Sequence, residues 1–135
     1  MSIQLSFTEE LQYDEDPAGI TIFVSLGYAE KTARVEAKVD PGAGVCLFTH
    51  EVGRRLGIPI EQGTPITLNT LSGNLEAFGH EVTLQTCDMV FQSLIYFAKY
   101  PNLPRNLLGR QGWLRKLKLA IVDYDNRLYL SAYDS

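Results

Sequence analysis

Histidine, cysteine and long apolar runs are all scarce in this 135-residue sequence, and each scarcity excludes a class of protein. No apolar stretch approaches the roughly 18 to 20 residues of a membrane-spanning helix, so we expect no membrane partner. His50 and His80 are too few for a zinc site, and we expect no metal or other cofactor. Cys46 and Cys87 match no metal or redox spacing, which predicts reduced, packed thiols in a cytoplasmic protein.

Positive charge is also limited, because 12 Lys and Arg face 16 Asp and Glu and give a net charge of -4. A nucleic-acid partner would need a basic stripe, so we expect none. The amino-terminal segment turns acidic where a secretory signal would turn apolar, which also favours a cytoplasmic location. One group of basic residues is interpreted as the solvated face of a helix: Arg105, Arg110, Arg115, Lys116 and Lys118.

Alternation of apolar and polar residues predicts an all-β protein with about eight strands and two short helices. The predicted strands cover 3–8, 20–27, 34–39, 64–70, 75–86 and 89–98, and a hairpin turning at Asp125-Asn126 follows. An acidic stretch at 14–19, punctuated by proline and glycine, predicts an exposed loop. Thr49 is a plausible N-cap for a helix over about 50–56, and a second helix is predicted from Arg110 to Leu117.

The segment most informative about function places an aspartate at the end of a strand. Residues 37–44 read Ala-Lys-Val-Asp-Pro-Gly-Ala-Gly, so that Asp40 enters a glycine-rich turn. Glycines let the backbone turn tightly and bring amides close to the carboxylate. A plain Asp-Pro-Gly turn explains the same residues equally well, so this motif alone leaves both interpretations open.

A second motif, about 70 residues later, favours the functional interpretation. Leu107-Leu108-Gly109 opens the second predicted helix, and together the motifs resemble those of retropepsin-like aspartic proteases. That family has an apolar strand ending in Asp-Thr/Ser-Gly-Ala, a short helix, a flap hairpin and an apolar-apolar-Gly motif. The matching segments appear here in the same order: 39–43, 49–58, 66–82 and 106–114.

The resemblance implies a single retropepsin-like domain over 1–135 that forms half of an acid-protease barrel. Residues 1–19 would be an amino-terminal strand and acidic loop, and 20–133 the core. Asp40 would be the catalytic residue of an aspartic-type endopeptidase. The other implied site residues are the active-site loop Pro41, Gly42 and Ala43, the flap tip Leu71, Ser72, Gly73 and Asn74, and the buttress Leu107, Leu108 and Gly109.

A mechanism with two carboxylates would need two copies of this chain. The sequence has no second Asp-x-Gly, so the resemblance implies a symmetric homodimer with one Asp40 from each subunit. Two close carboxylates share one proton, and the charged one would activate water to hydrolyse an unstructured protein or peptide. The carboxy-terminal strand, about Arg127 to Tyr133, resembles the strand with which such subunits interleave.

Pro41 departs from the family pattern. In the family, Thr or Ser at this place hydrogen-bonds across the dimer axis, whereas proline has neither a hydroxyl nor a backbone N–H. Proline can stiffen its own loop but cannot form these bonds. The alternative function is therefore a non-catalytic module that keeps the fold for peptide binding or dimerisation. A hydrolase that uses Cys46 as nucleophile is a more distant possibility, since no base is placed beside it.

Overall fold

A computed structural model describes all residues from 1 to 135 and contains ten β-strands and one α-helix. The predicted all-β class is confirmed. The elements, in chain order, are β1 Glu9–Gln12, β2 Thr21–Tyr28, β3 Lys31–Val39, β4 Leu47–Phe48, α1 His50–Arg55, β5 Thr64–Thr70, β6 Gly73–Thr86, β7 Met89–Ala98, β8 Asn106–Leu108, β9 Leu117–Val122 and β10 Arg127–Ala132. Short 3-10 turns lie at Ile60–Gln62, Leu114–Lys116 and Asp123–Asp125.

Seven strands form one sheet in the order β2-β3-β8-β4-β7-β6-β5, and β6 also pairs with β2, so that the sheet closes on itself. The short strand β8 lies between β3, to which it is parallel, and β4, to which it is antiparallel. This order brings the segment after β8 next to the segment after β3, although about 70 residues separate them in sequence. The fold thus places the two sequence motifs side by side.

The remaining strands form a separate three-stranded sheet in the order β1-β10-β9. The predicted hairpin of β9 and β10 is confirmed, with Asn126 in the left-handed conformation at its turn. The carboxy-terminal strand β10 is paired on both sides within its own chain, to β1 and to β9. It therefore has no free edge for another chain, and the expectation that it interleaves with a partner strand is corrected: the open edges belong to β1 and β9.

The first predicted strand was placed wrongly. Residues 3–8 are not a strand, and Ile3 and Leu5 are 85% and 65% exposed. The strand forms at Glu9–Gln12, where the chain pairs residue by residue with β10. Tyr13 follows, is 6% exposed, and donates a hydrogen bond from its hydroxyl to Asp123. This arm is consequently packed onto the fold, while the acidic stretch after it lies on the surface, as predicted.

One of the two predicted helices has a different structure. Helix α1 starts as expected, since the Thr49 side chain accepts a hydrogen bond from the amide of Val52. The predicted helix from Arg110 to Leu117 is instead an irregular segment ending in the 3-10 turn Leu114–Lys116. Gly112, at φ +97°, interrupts any regular helix there. The nearby basic residues accordingly do not form the face of a helix.

The core spans both sheets and contains 23 buried residues in one cluster. The inward faces of β2 and β3 contribute alternate residues, as a period of two requires. Trp113 is fully buried, and its indole N–H donates to Thr86 Oγ1 at 3.0 Å. The structure has no helix of the length and apolarity needed to cross a membrane.

Candidate active site

Asp40 lies directly after β3, at the start of a tight turn. Its amide donates to the carbonyl of Leu108 at 2.9 Å, which attaches the aspartate to the end of β8. Its own carbonyl accepts from Ala43 at 3.0 Å, and its carboxylate Oδ1 accepts from the Gly42 amide at 3.1 Å. The side chain is half-buried, so one carboxylate edge is held by the loop while part of the group remains accessible.

The loop that holds Asp40 contains Pro41, Gly42 and Ala43. Pro41 and Gly42 are exposed, and Ala43 is half-buried. Pro41 forms no hydrogen bond with the rest of the chain, and it has no backbone N–H that could donate one. A Cβ at Gly42 would lie 3.3 Å from the Asp40 carboxylate, closer than an ordinary contact. Glycine at this position therefore lets the backbone amide approach the carboxylate.

The predicted buttress lies beneath this loop. Leu107 and Leu108 pair with the last residues of β3, and Leu108 is fully buried. After Gly109, the chain runs along the far side of the Asp40 loop: the amide of Arg110 donates to Ala43 at 2.9 Å and that of Gln111 to Gly44 at 3.0 Å. A helix beginning at Arg110 could also form these two bonds, because the first amides of a helix have no partner within it. The helix is lost at Gly112, whose φ of +97° lies outside the helical region, and the amides of Leu114 and Arg115 bond five residues back rather than four.

Cys46 completes the support of the loop, a role that its sequence context did not indicate. The thiol is fully buried, accepts a hydrogen bond from the Gly109 amide at 3.4 Å and donates to the Gln111 carbonyl at 3.4 Å. Both cysteines are free thiols, with Cys87 half-buried. Burial raises the pKa of the Cys46 thiol from 9.0 to about 11, only partly offset by the Gly109 hydrogen bond.

The raised pKa of Cys46 predicts a loss of stability in alkali. The folded chain holds the thiol proton more tightly than the unfolded chain, so this stabilisation is complete below about pH 9 and disappears as pH rises towards 11. Two pH units correspond to about 2.7 kcal/mol. Urea unfolding between pH 8 and 11 should show a smaller decrease in Cys46→Ala than in the wild type. Equal decreases in both proteins would contradict the assignment.

The predicted flap is a two-stranded ribbon. Strands β5 and β6 pair from Thr64 with Gly79 to Thr70 with Gly73, but β7 pairs with β6 only from Ala77 onwards. The outer part of the hairpin therefore has no third strand. All four predicted tip residues are exposed, and Leu71 is fully solvated: Leu71, Ser72, Gly73 and Asn74. Gly73 adopts φ +121°, which favours glycine in this turn.

Asn106 is a structural residue of the site that sequence reasoning missed. Its side chain is 8% exposed, accepts from the amide of Thr49 at 2.9 Å and donates to the carbonyl of Glu36 at 2.8 Å. It thus joins β3, β8 and the start of α1. No sequence signal marks this role, because its partners, Thr49 and Glu36, are 57 and 70 residues away along the chain. His80 lies apart from this group and donates to the carbonyl of Ile60 at 2.8 Å.

Many solved structures are similar to this chain, among them two proteases. A retropepsin-like aspartic protease from Rickettsia conorii matches with a TM-score of 0.66 and 17% identity, over 92% of this chain and 99% of that one. The EIAV protease complexed with the inhibitor HBY-793 matches with a TM-score of 0.53 and 22% identity, over 67% of this chain and 80% of that one. Neither the known family models nor the curated proteins contain a match.

Proposed function

Because this chain has the fold of retropepsin-like aspartic proteases, we propose that it is an aspartic endopeptidase whose catalytic dyad consists of Asp40 from each of two identical subunits. The observation that carries the proposal is the anchoring of Asp40. Its amide is bonded to β8, its carboxylate accepts from Gly42, and its loop is bonded to the segment after Gly109. Such rigid support is what a catalytic carboxylate needs to keep its position.

The chemistry follows from bringing two carboxylates together. Two like charges a few ångströms apart cannot both be ionised at low cost, so the pair holds one shared proton, as is general for aspartic proteases. The charged carboxylate takes a proton from a water molecule as the water oxygen attacks the scissile carbonyl carbon. The protonated carboxylate donates to the carbonyl oxygen. The resulting gem-diol then collapses, the C–N bond breaks, and the leaving amine takes up a proton.

The flap ribbon supports a substrate in extended conformation. Its outer part has unpaired backbone groups on both strands, because only β5 and β6 pair there. An extended peptide could use these groups as partners, in the manner of an added strand. We propose that the tip from Leu71 to Asn74 closes over a bound peptide and excludes water from the dyad.

The three-stranded sheet supplies a surface for the second subunit. Strand β9 is an open edge, and its last two residues, Ile121 and Val122, are each 41% exposed. Next to them, Tyr124 is almost fully exposed. Open apolar edges favour pairing with another chain. We propose that two copies join antiparallel along β9 about a two-fold axis, giving one sheet of six strands.

Further proposals follow from the same function. The whole chain from 1 to 135 would act as one retropepsin-like domain on peptides or unstructured proteins, without a metal or other cofactor, nucleic acid or membrane. A cytoplasmic location is supported by the two free thiols, Cys46 and Cys87, since disulfides are rare in that compartment.

Pro41 favours one alternative function. The residue is exposed at the tip of the Asp40 loop and offers neither a hydroxyl nor an N–H for a bond to a second subunit. A chain that had lost catalysis could keep the flap and the sheet edge for peptide binding or dimerisation. The alternative is thus a non-catalytic retropepsin-like module that binds the same extended peptides.

A cleavage assay combined with sedimentation separates the two functions. The wild-type protein is incubated with a library of unstructured peptides at several pH values between about 4 and 8, and products are identified by mass spectrometry. An endopeptidase is expected to cleave internal bonds, with specific activity rising with protein concentration in parallel with the dimer fraction. Peptide binding without cleavage at any pH would establish the non-catalytic module instead.

A further inference from the structure

A charged cavity lies beside β3, close to Asp40. It has a volume of about 440 Å³ and opens to solvent. Two cations and two carboxylates line it: Lys38, Arg105, Asp16 and Glu36. Thr21 and Pro104 are among the other lining residues. The Asp40 loop itself does not line it. These charges cancel in number, so the position of each group decides whether a ligand meets a positive or a negative charge first.

Lys38 is the charged residue of this cavity that lies nearest to Asp40 along β3. Side chains alternate between the two faces of a strand, so that Lys38 and Asp40 share a face about 7 Å apart along the chain. Ala37 and Val39, on either side of Lys38 along the strand, face the core, since they are 1% and 6% exposed. Glu36 is twice as far from Asp40. Along β3, a peptide lying across Asp40 therefore meets Lys38 before Glu36.

No carboxylate forms an ion pair with Lys38. The ion pairs in the chain are Lys99 with Glu76 and Arg127 with Glu10, and neither involves the cavity. The backbone register places apolar Leu107 opposite Lys38. The Lys38 side chain instead packs against Gly19, where a Cβ would come within 2.6 Å of its Cε.

The other charges of the cavity are farther from Asp40 along β3 or are hydrogen-bonded to backbone groups. Arg105 precedes Asn106, which pairs with Ala37, so the register places Arg105 beside Glu36, farther from Asp40 than Lys38. The Arg105 guanidinium also donates to the Ala18 carbonyl at 3.4 Å. The Asp16 carboxylate accepts from the Ala18 amide at 2.8 Å within its own turn. Of these charges, Lys38 lies nearest to Asp40 along β3, and no ion pair in the chain occupies its ammonium group.

We infer that this cavity is a subsite for an acidic side chain of the peptide substrate, with Lys38 as its specificity-determining residue. The inference rests on the proposed function, because it places a peptide across Asp40. A glutamate or aspartate close to the cleaved bond reaches Lys38 and forms a charge-assisted hydrogen bond. A basic side chain at the same position is repelled, and a neutral one gains nothing from the ammonium group.

Matched peptides test this preference. Sets identical except for Glu, Gln or Lys at one position, within four residues of a cleaved bond, are compared by kcat/KM. The wild type is expected to favour Glu over Gln roughly fivefold at one position, the size of a partly exposed charge pair. Lys38→Met should equalise the Glu and Gln peptides, and Lys38→Glu should reverse their order. Lys31→Met, at the exposed opposite end of β3, is the control and should keep the wild-type preference.

Three results would overturn the subsite. The first is no preference in the wild type, and the second is a preference for Lys, which would assign the cavity to Asp16 and Glu36. The third is a Glu preference that remains in Lys38→Met. Failure of catalysis is a separate outcome. If no peptide is cleaved, the same peptides are titrated against the wild type and Lys38→Met by fluorescence anisotropy. Tighter binding of the Glu peptide that depends on Lys38 supports the subsite, and equal binding of all peptides refutes it, whether or not the protein is an enzyme.

Discussion

Replacing Asp40 with asparagine is expected to lower kcat for peptide hydrolysis by about 10³-fold, the usual contribution of a positioned acid–base group. Asparagine has nearly the same shape, and its carbonyl oxygen can still accept the hydrogen bond from the Gly42 amide. It cannot carry the negative charge that takes a proton from water. The loss should therefore appear in kcat while the melting temperature and the dimer fraction stay close to those of the wild type.

A mixing experiment shows whether the two aspartates act as a pair. When Asp40→Asn subunits are present in tenfold excess and exchange freely, about one wild-type chain in eleven remains in a wild-type dimer, so activity should fall about tenfold. Asp88→Asn, in the exposed turn between β6 and β7, is the matched control and should leave activity unchanged. Hydrolysis that persists in purified Asp40→Asn would refute the dyad.

The second large effect is on stability, at Gly109. A Cβ at this position would overlap the carbonyl oxygen of Val45 and lie 2.7 Å from that of Ala43. Both neighbours are backbone atoms of the Asp40 loop, which cannot rotate away as a side chain can. Gly109→Ala must therefore push the loop and β8 apart and strain the bond from Arg110 to Ala43. We expect unfolding to become easier by about 3 kcal/mol.

Gly44→Ala is the control for this experiment. Gly44 belongs to the same loop, is exposed, and would have no atom within 4 Å of an added Cβ. Its substitution should change the free energy of unfolding by less than about 0.5 kcal/mol. Urea denaturation followed by Trp113 fluorescence gives both values, because this single tryptophan is fully buried. Similar midpoints for the two variants would mean that the close approach at Gly109 does not stabilise the fold.

Sequence patterns predicted correctly those strands and helices whose formation depends on their own residues. The hairpin of β2 and β3 follows from alternating residues that bury one face, and α1 follows from the cap at Thr49. The two strands of the flap were predicted from their alternating residues, and Gly73 takes a positive φ in the turn between them. In each case the physical cause, a period or a special backbone conformation, acts within about ten residues.

The errors occurred where a distant partner decides the structure. Residues 3–8 alternate like a strand, yet the strand forms four to six residues later, along the available edge of β10. The pattern from Arg110 to Leu117 resembles a helix, but the chain there follows the Asp40 loop, to which Arg110 and Gln111 bond, and Gly112 takes a φ of +97°. No local signal can report a hydrogen-bond partner that is more than 60 residues away.

By itself, the sequence determined that Asp40 ends an apolar strand, enters a glycine-rich turn and has no second Asp-x-Gly in the chain. Strand period and turn chemistry are local, so they can be read along the chain. Only the tertiary structure brought Gly109 and Cys46 against the loop, paired β10 on both sides and left β9 as an open edge. It alone placed Lys38 in a charged cavity and left it without an ion pair. These features depend on which strands become neighbours, and that is decided by packing of the whole core.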